Sequence, residues 1–324
     1  MQLEVSAQHE AFLAVPLAVI QPGTLAPVDI YIRVKKPAEY VLYKRARAPF
    51  YERTRQRLLD RDVHALYLRK ADQQAYNEYV EENLSRIIRD DLLPVRQSCE
   101  IVYETSARVM TEVFEAPRSG RSMARARRMV EATVLSILKR PDSLWHMRAL
   151  ASHHYRTYTH CVHACMFLVA TGKALLGIKD QLSLNRVGFG GILHDIGKSQ
   201  IPDAILSKPR GLTPAELDLI KQHPLMGLEI ARGVKRLPAV AAEVIRSHHE
   251  RLDGTGYPAG LSGDQISPVV RLSSIIDVYD ALTTDRAYAQ ARSSYSALKM
   301  MLTDMEGQFD TKLLESFIKF LGPG

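Results

Sequence analysis

Apolar and polar positions alternate through Val28-Asp-Ile-Tyr-Ile-Arg-Val34, a period of two that predicts a half-buried β-strand. Glu39 to Lys44 and His64 to Leu68 read as two further strands, with a short helix over Arg53 to Asp60 between them. An earlier apolar run, Ala11 to Ile20, is broken by Pro16, and no strand is assigned to it. After Asp72 the period lengthens. Tyr76, Tyr79, Val80, Leu84, Ile87, Ile88 and Leu92 recur every three or four residues, predicting a helix that Pro94 perturbs without ending and that resumes through Val113. A second helix is predicted over Met123 to Leu138. From Tyr155 onward the chain reads as almost continuous helix: Tyr155 to Leu176, Leu182 to Leu193, Thr213 to Val234, Pro238 to His248, Pro268 to Thr284, Tyr295 to Met305 and Thr311 to Leu321. Thr213-Pro-Ala-Glu216 is a capping box with proline in the first turn, a strong helix start. The fold class is therefore mainly α. We divide the chain into a small α/β module at 1–71, a helical connector at 72–146 suited to pairing two copies as a homodimer, and an all-α domain at 147–324.

Composition narrows this picture. A chain of 324 residues has room for about two domains, and 46% hydrophobic with 24% charged residues excludes a disordered tail or fibrous repeat. No apolar run approaches the ~18 residues of a spanning helix. The N-terminus lacks the basic start of a secretory signal, and the three cysteines make no disulfide framework, so a cytoplasmic location is expected. The net charge of +7 is carried mostly before residue 151. Its clusters, Lys44/Arg45/Arg47 with Arg53/Arg55/Arg57, and Arg121/Arg125/Arg127/Arg128, lack interleaved aromatics and read as solvated faces, with no nucleic-acid polymer expected as partner.

Histidine is distributed far less evenly: nine of eleven lie between His146 and His249. Within Gly191-Ile-Leu-His-Asp-Ile-Gly-Lys198, His194 and Asp195 are adjacent in an apolar helical pattern. Helix neighbours diverge by about 100°, so the pair suits a position astride two ions, with the carboxylate bridging. His223 precedes Pro224, and His248-His249 stand at a helix end before a glycine-rich loop. Asp277 lies in an apolar run, where an unpaired carboxylate is costly to bury. His160 begins a polar break in another apolar helix. Five imidazoles with two carboxylates suit two divalent metals, iron or manganese, better than a four-coordinate zinc site built on thiolates.

These residues resemble the HD-GYP family, the branch of HD phosphohydrolases that hydrolyses cyclic di-GMP. The likeness runs from about Tyr155 to Leu321 through His194-Asp-Ile-Gly-Lys, Ile201-Pro, Lys208-Pro, Leu212-Thr-Pro-Ala-Glu, His223-Pro, His248-His-Glu-Arg, Asp253-Gly-Thr-Gly-Tyr-Pro, Asp277-Val-Tyr-Asp-Ala-Leu-Thr-Thr-Asp-Arg-Ala-Tyr and Gly307-Gln-Phe-Asp. It implies an HD-type helical bundle in which His160, His194, Asp195 and Asp277 hold one metal and His223, His248 and His249 the other, with Asp195 shared. His160 is taken over His163 on the stretch Tyr158-Thr-His-Cys-Val-His-Ala. His153, His154 and His163 fall to the surface or the outer shell. The Glu that serves a third metal in some members is replaced by Arg156, against a trinuclear site. Arg286 matches the family's phosphate-contacting arginine, and Ala289 stands where many members carry another basic residue.

The implied reaction is hydrolysis of cyclic di-GMP to linear pGpG, with GMP as a further product left open, by a hydroxide bridging the two metals. Asp195 and Lys198 are the candidate catalytic residues, Lys198 neutralising phosphate or protonating the leaving oxygen. Lys198, Gly256, Tyr257 and Arg286 are the candidate substrate contacts. Gly254-Thr-Gly-Tyr-Pro258 reads either as a lip of the substrate cleft and a docking surface for a diguanylate cyclase, or as a turn that orients His248 and His249. Glu250, Arg251 and Asp253 are expected to pin it by ion pairs. Because these groups grip metal and phosphate rather than bases, cyclic GMP-AMP remains an alternative substrate. Two other readings stand beside the phosphodiesterase: a cyclic dinucleotide sensor or cyclase-docking protein with slow or no turnover, and a mononucleotidase, against which the double histidine and the loop argue.

Overall fold

The computed structural model describes residues 11–35, 38–140, 142–150, 157–208, 211–285 and 290–322. The chain separates into two compact units, Met1–Ser98 and Cys99–Gly324. In the first, strands β1 (Phe12–Pro16), β2 (Ile30–Lys35) and β3 (Ala38–Lys44), helix α1 (Glu52–Leu59), strand β4 (Ala65–Arg69) and helix α2 (Gln73–Arg89) follow in order. The strands form one antiparallel sheet in the order β1-β4-β2-β3. Three strands and α1 lie where the sequence periodicity predicts them. The fourth, β1, falls in the run to which no strand was assigned. It is an edge strand, and Pro16 closes it opposite Ala65. Proline costs least there, where its missing N–H interrupts no central ladder. The predicted stripe of α2 is buried from Tyr76 to Ile88, and the Tyr79 hydroxyl accepts from the Gln21 backbone N–H at 2.8 Å. Leu92, counted in that stripe, lies beyond the helix and is exposed.

Pro94 does end the helix, contrary to the periodicity. Helix α2 stops at Arg89, and α3 (Val95–Glu115) starts directly after Pro94, whose carbonyl accepts from Ser98 N–H at 3.0 Å. A proline disfavours helix in the residue before it and fits the first turn of the next. The boundary between the two units falls within α3.

The second unit continues with α4 (Gly120–Lys139), α5 (Ser143–Leu150), α6 (Thr157–Leu175) and α7 (Gln181–Leu193). A 3-10 turn at Ile196–Gln200 and the short α8 (Asp203–Leu206) lead to α9 (Pro214–Lys221), α10 (His223–Arg232), α11 (Ala239–Ser247), α12 (Pro268–Thr283), α13 (Ser294–Thr303) and α14 (Thr311–Leu321). Helix α6 is the axis of this bundle. Every residue from His160 to Gly172 is buried, as a helix apolar on all faces requires. It packs along α7 and is flanked by α4, α12 and α14. The apolar stripe of α4 is covered by α6 and α7 of the same chain. Helix α7 is held between α6 and α11, and its Gly190 and Gly191 admit those neighbours closely. A β-carbon at Gly190 would meet Val244 Cβ at 2.9 Å, and one at Gly191 would meet Cys165 Cα at 3.0 Å. Cys99, Cys161 and Cys165 are free thiols, all buried. Among the described residues no helix is long and apolar enough to cross a membrane.

The bundle is locked by an aromatic triangle from three helices. Phe167 lies 5.8 Å from Tyr279 and 6.1 Å from Phe317, and Tyr279 and Phe317 are 5.2 Å apart. Phe317 is 0% exposed. Phe317→Ala is expected to cost about 3–5 kcal/mol, read as a lower urea midpoint for the C-terminal transition.

Candidate metal centre

Helix ends bring the candidate donors together. His160 projects from the first described turn of α6 and Asp277 from the interior of α12, and the other five stand at or beside helix termini. Helix α7 stops at Leu193, with His194 as its C-cap, and Asp195 opens the 3-10 turn with φ −98° and ψ 4°. His194 and Asp195 are thus not inside an α-helix as their apolar setting suggested. The tightened turn lets both adjacent side chains reach one site. His223 starts α10, because the stretch predicted as one helix from Thr213 to Val234 breaks at Gln222. Pro224 lacks the N–H that continuation would use, and it fits the first turn of a new helix. His248 caps α11 and His249 follows it.

The donors form two groups, Asp195/His223/His248/His249 and His160/His194/Asp277, with ligating atoms in each group within 4.8 Å of one another. Local backbone sets the imidazole tautomers. The Nδ1–H of His194 donates to Gly191 O at 2.8 Å, and that of His223 to Ile220 O at 2.8 Å. His248 Nδ1–H is shared between Val244 O and Ile245 O at 3.1 Å each. Each Nε2 is then left with a lone pair aimed inward. The Nε2 atoms of His223 and His248 face each other at 3.2 Å, and those of His160 and His194 at 3.1 Å. Burial, then neighbouring imidazoles, hold His248 well below the ordinary histidine range, and burial lowers His194 and takes His249 down to about 3. His194, His248 and His249 are therefore neutral near pH 7, and lone pairs facing at such distances repel unless a cation lies between them.

Asp195 is 0% exposed and divides its oxygens between the groups. Oδ1 lies 3.1 Å from His223 Nε2 and 3.8 Å from His248 Nε2, while Oδ2 lies 3.6 Å from His194 Nε2 and 3.8 Å from His160 Nε2. With the His223 proton committed to Ile220, the 3.1 Å approach is no hydrogen bond, and Oδ1 stands as a buried acceptor without a partner. Burial alone would raise this carboxyl, but Lys198 and His194 outweigh it and keep it well below the usual range. Lys198 Nζ donates to Oδ2 at 2.6 Å from the 3-10 turn. The donor types, the inward lone pairs and the orphaned oxygen together fit two divalent cations flanking Asp195.

Sequence reasoning missed Asp280. Its Oδ2 accepts from His160 Nδ1 at 2.6 Å and its Oδ1 from His163 Nδ1 at 2.9 Å, while His163 Nε2 meets the Tyr103 hydroxyl at 3.0 Å. His163 is 1% exposed and so lies in the outer shell of the site, not at the surface. Burial would raise Asp280, but His163 and His160 hold it well below the carboxylate range. Burial, followed by Asp280 and Tyr158, pushes Tyr103 up to about 12. The signal was present in the spacing, since Asp280 lies three residues after Asp277 on the same helical face.

The loop after His249 is held by hydrogen bonds to backbone, correcting the expectation of ion pairs. Glu250, 1% exposed, accepts from Ala259 N–H at 2.8 Å and Leu261 N–H at 2.9 Å. Arg251 donates to Glu250 O, and Asp253 accepts from Thr255 N–H. Tyr257 stacks on His249, centroids 4.6 Å apart, while its backbone N–H donates to His249 O. A β-carbon at Gly256 would fall 2.4 Å from Arg251 N, so only glycine allows this close return of the chain. Arg286, Ala289, His153, His154 and Arg156 lie outside the described residues.

A helical bundle whose helix ends carry His-Asp and His-His into one buried site defines a class of protein, and the HD domain family matches residues 147–313. The chain belongs to the HD domain family, in its HD-GYP branch. It is 34% identical over 230 residues to the cyclic di-GMP phosphodiesterase PA4108 of Pseudomonas aeruginosa, covering 70% of this chain and 55% of that one. It is 42% identical over 132 residues to a cyclic di-GMP phosphodiesterase of Vibrio cholerae, covering 39% and 27%. It is also 38% identical over 128 residues to 3'3'-cGAMP-specific phosphodiesterase 2 of the same organism, covering 39% and 24%. The chain thus spans about half or less of the length of these relatives. Among solved structures, Bd1817, an HDG"Y"P protein from Bdellovibrio bacteriovorus, matches with TM-score 0.66 and 21% identity over 96% of this chain and 100% of that one, a likeness of fold.

Gly197 makes the site geometry testable. A β-carbon there would lie 1.9 Å from His223 O, so the His194-Asp195 turn and the start of α10 touch through backbone. Gly197→Ala is expected to lower manganese affinity at least tenfold by calorimetric titration, with helical circular dichroism retained. Gly120→Ala, where nothing lies within 4 Å, leaves the affinity unchanged. Asp280→Asn, which cannot accept from both imidazoles, is expected to weaken manganese binding by about 10–100-fold in the same titration.

Proposed function

We propose that the chain is a metal-dependent phosphodiesterase of cyclic dinucleotides, acting on cyclic di-GMP and releasing linear pGpG, with its catalytic domain over 147–324. The observation that carries this reading is the division of the Asp195 oxygens between two groups of inward-facing imidazoles. Two divalent cations bound there, iron or manganese by the nitrogen-rich donor set, would supply an activated water and charge neutralisation at phosphorus. The chain's own contribution is positioning. His160, His194, His223 and His248 have side chains only 1–3% exposed, whereas Asp277, His249 and Lys198 reach 12%, 15% and 18%. Among the described residues, Lys198 and His249 therefore mark a side from which substrate phosphate would approach. Lys198 holds its proton beside Asp195, on the side where a phosphodiester oxygen would gain negative charge. Tyr257, laid over His249, offers an aromatic wall at the same opening. Arg286 is assigned to phosphate by its motif alone.

Relatives named for 3'3'-cGAMP support a second substrate, cyclic GMP-AMP, on the same chemistry. Anaerobically purified protein loaded with manganese or ferrous iron is expected to convert cyclic di-GMP to pGpG, read by chromatography, with cyclic GMP-AMP run in parallel. Asp195→Ala is expected to abolish product while leaving helical content unchanged, and stripping by chelator to do the same reversibly. Undiminished turnover by Asp195→Ala would refute the assignment, and metal-loaded protein that binds either nucleotide without cleaving it would convert the reading to a sensor.

A further inference from the structure

A hydrogen-bond network reaches the metal centre from outside the segment that the HD domain family matches. Tyr103 lies in α3, well before residue 147, where the match begins. Its hydroxyl stands 3.0 Å from His163 Nε2, and His163 Nδ1 stands 2.9 Å from Asp280 Oδ1. The other Asp280 oxygen lies 2.6 Å from His160 Nδ1. His160 Nε2 in turn faces Asp277 Oδ1 at 3.0 Å and His194 Nε2 at 3.1 Å. His160, His163 and Asp280 are 1%, 1% and 4% exposed, so bulk water is not at hand to replace a lost partner.

The donor chemistry gives this network one direction. A carboxylate only accepts, so both Nδ1 atoms that face Asp280 carry protons. His163 is then left with a lone pair on Nε2, and His160 with one on the Nε2 that faces the other candidate ligands. Tyr103 is the donor at the outer end. Burial, followed by Asp280 and Tyr158, pushes its hydroxyl up to about 12, so it keeps its hydrogen near pH 7. The Tyr103 and His163 rings lie within 17° of parallel, with centroids 5.7 Å apart. His160 and His163 are three residues apart on one face of α6, and a single carboxylate from α12 clamps both.

Loss of the Tyr103 hydroxyl leaves His163 two arrangements, both unfavourable. It can keep its tautomer with a buried, unpartnered Nε2. Alternatively it can move the proton to Nε2 and turn a bare Nδ1 toward the Asp280 carboxylate, two acceptors face to face. The second arrangement displaces Asp280 and with it the partner that orients His160. Among the described residues, Asp195, His223, His248 and His249 hydrogen-bond to none of Tyr103, His163 and Asp280, so the effect falls on one group of ligands.

We propose that Tyr103 is a positioning residue for the metal position held by His160, His194 and Asp277, acting through His163 and Asp280. A residue of the connector helix then completes a site whose ligands all lie in the catalytic domain, and the placement of α3 bears on one of the two metal positions. The proposal rests on the metal reading of the site and not on the identity of the substrate.

Calorimetric titration of the metal-stripped full chain with manganese tests it. Wild type is expected to bind two ions. Tyr103→Phe, which keeps the ring, is expected to weaken one of them about three- to tenfold, less than the 10–100-fold of a direct partner to a ligand, and to leave the other ion and the helical circular dichroism unchanged. In a His163→Gln background Tyr103→Phe is expected to cost nothing further, because the hydroxyl acts only through that ring. Histidine 15N NMR of the metal-free chain is expected to show His163 protonated on Nδ1 alone, with its Nε2 resonance moved by Tyr103→Phe. The proposal is overturned if Tyr103→Phe binds both ions as wild type does or weakens both equally. It is also overturned if the losses from Tyr103→Phe and His163→Gln add in the double variant, or if the His163 resonances do not respond. A wild-type chain that binds no manganese refutes the metal centre itself and the proposal with it.

Discussion

The carboxylate of Asp195 is the group around which the C-terminal unit is organised. It is fully buried, and a lone charge in that position carries a penalty of several kcal/mol. Lys198 supplies one compensating contact, on Oδ2, and among the described residues the second oxygen accepts no hydrogen bond. The structure surrounds that oxygen with more acceptors, which makes sense only for a site that recruits positive charge from outside. Lys198 is too small a countercharge for a carboxylate faced by four inward imidazole nitrogens and backed by Asp277.

Helix termination is the device that makes this arrangement possible. A continuous helix spreads adjacent residues around its axis, so His194-Asp195 and His248-His249 could not both converge from helix interiors. The chain ends α7 and α11 at those pairs and starts α10 at His223. The same ends supply last-turn carbonyls within reach of side-chain donors. Gly191, Ile220, Val244 and Ile245 use theirs to hold the Nδ1 protons of three imidazoles. For His160, in the first described turn of α6, Asp280 performs that role from α12. The Gly197 contact with His223 O then sets the distance between two of these ends.

Most of this was legible in the sequence because the donor types are rare in apolar surroundings. Seven His and Asp residues read as donors from sequence converge in two groups. Residues whose role depends on what faces them were not legible. Asp280 acts on both His160 and His163, and Tyr103 on His163, pairings that only the fold displays even though the spacing from Asp277 put Asp280 on the same helical face. Strand β1 escaped because its register is set by β4, more than fifty residues away, and because its proline is harmful only in a central strand. Helix periodicity continued across Pro94 and Gln222, since apolar spacing records burial and not continuity of the backbone.

The bundle must hold its donors in place whether or not cations are bound. Facing lone pairs at 3.1 and 3.2 Å push the helices apart, and no thiolate or disulfide ties them together. The opposing force is packing. Helix α6 is buried on every side, and Phe167, Tyr279 and Phe317 close the interior between α6, α12 and α14 on the flank away from α11. Metal-dependent small domains fold only when the ion arrives, because they lack such a core. Here the bundle has such a core, and its packing opposes the repulsion among the donors that bound cations would relieve. Local carbonyls and Asp280 set the tautomers, and the aromatic triangle helps to hold the helices from which the imidazoles project.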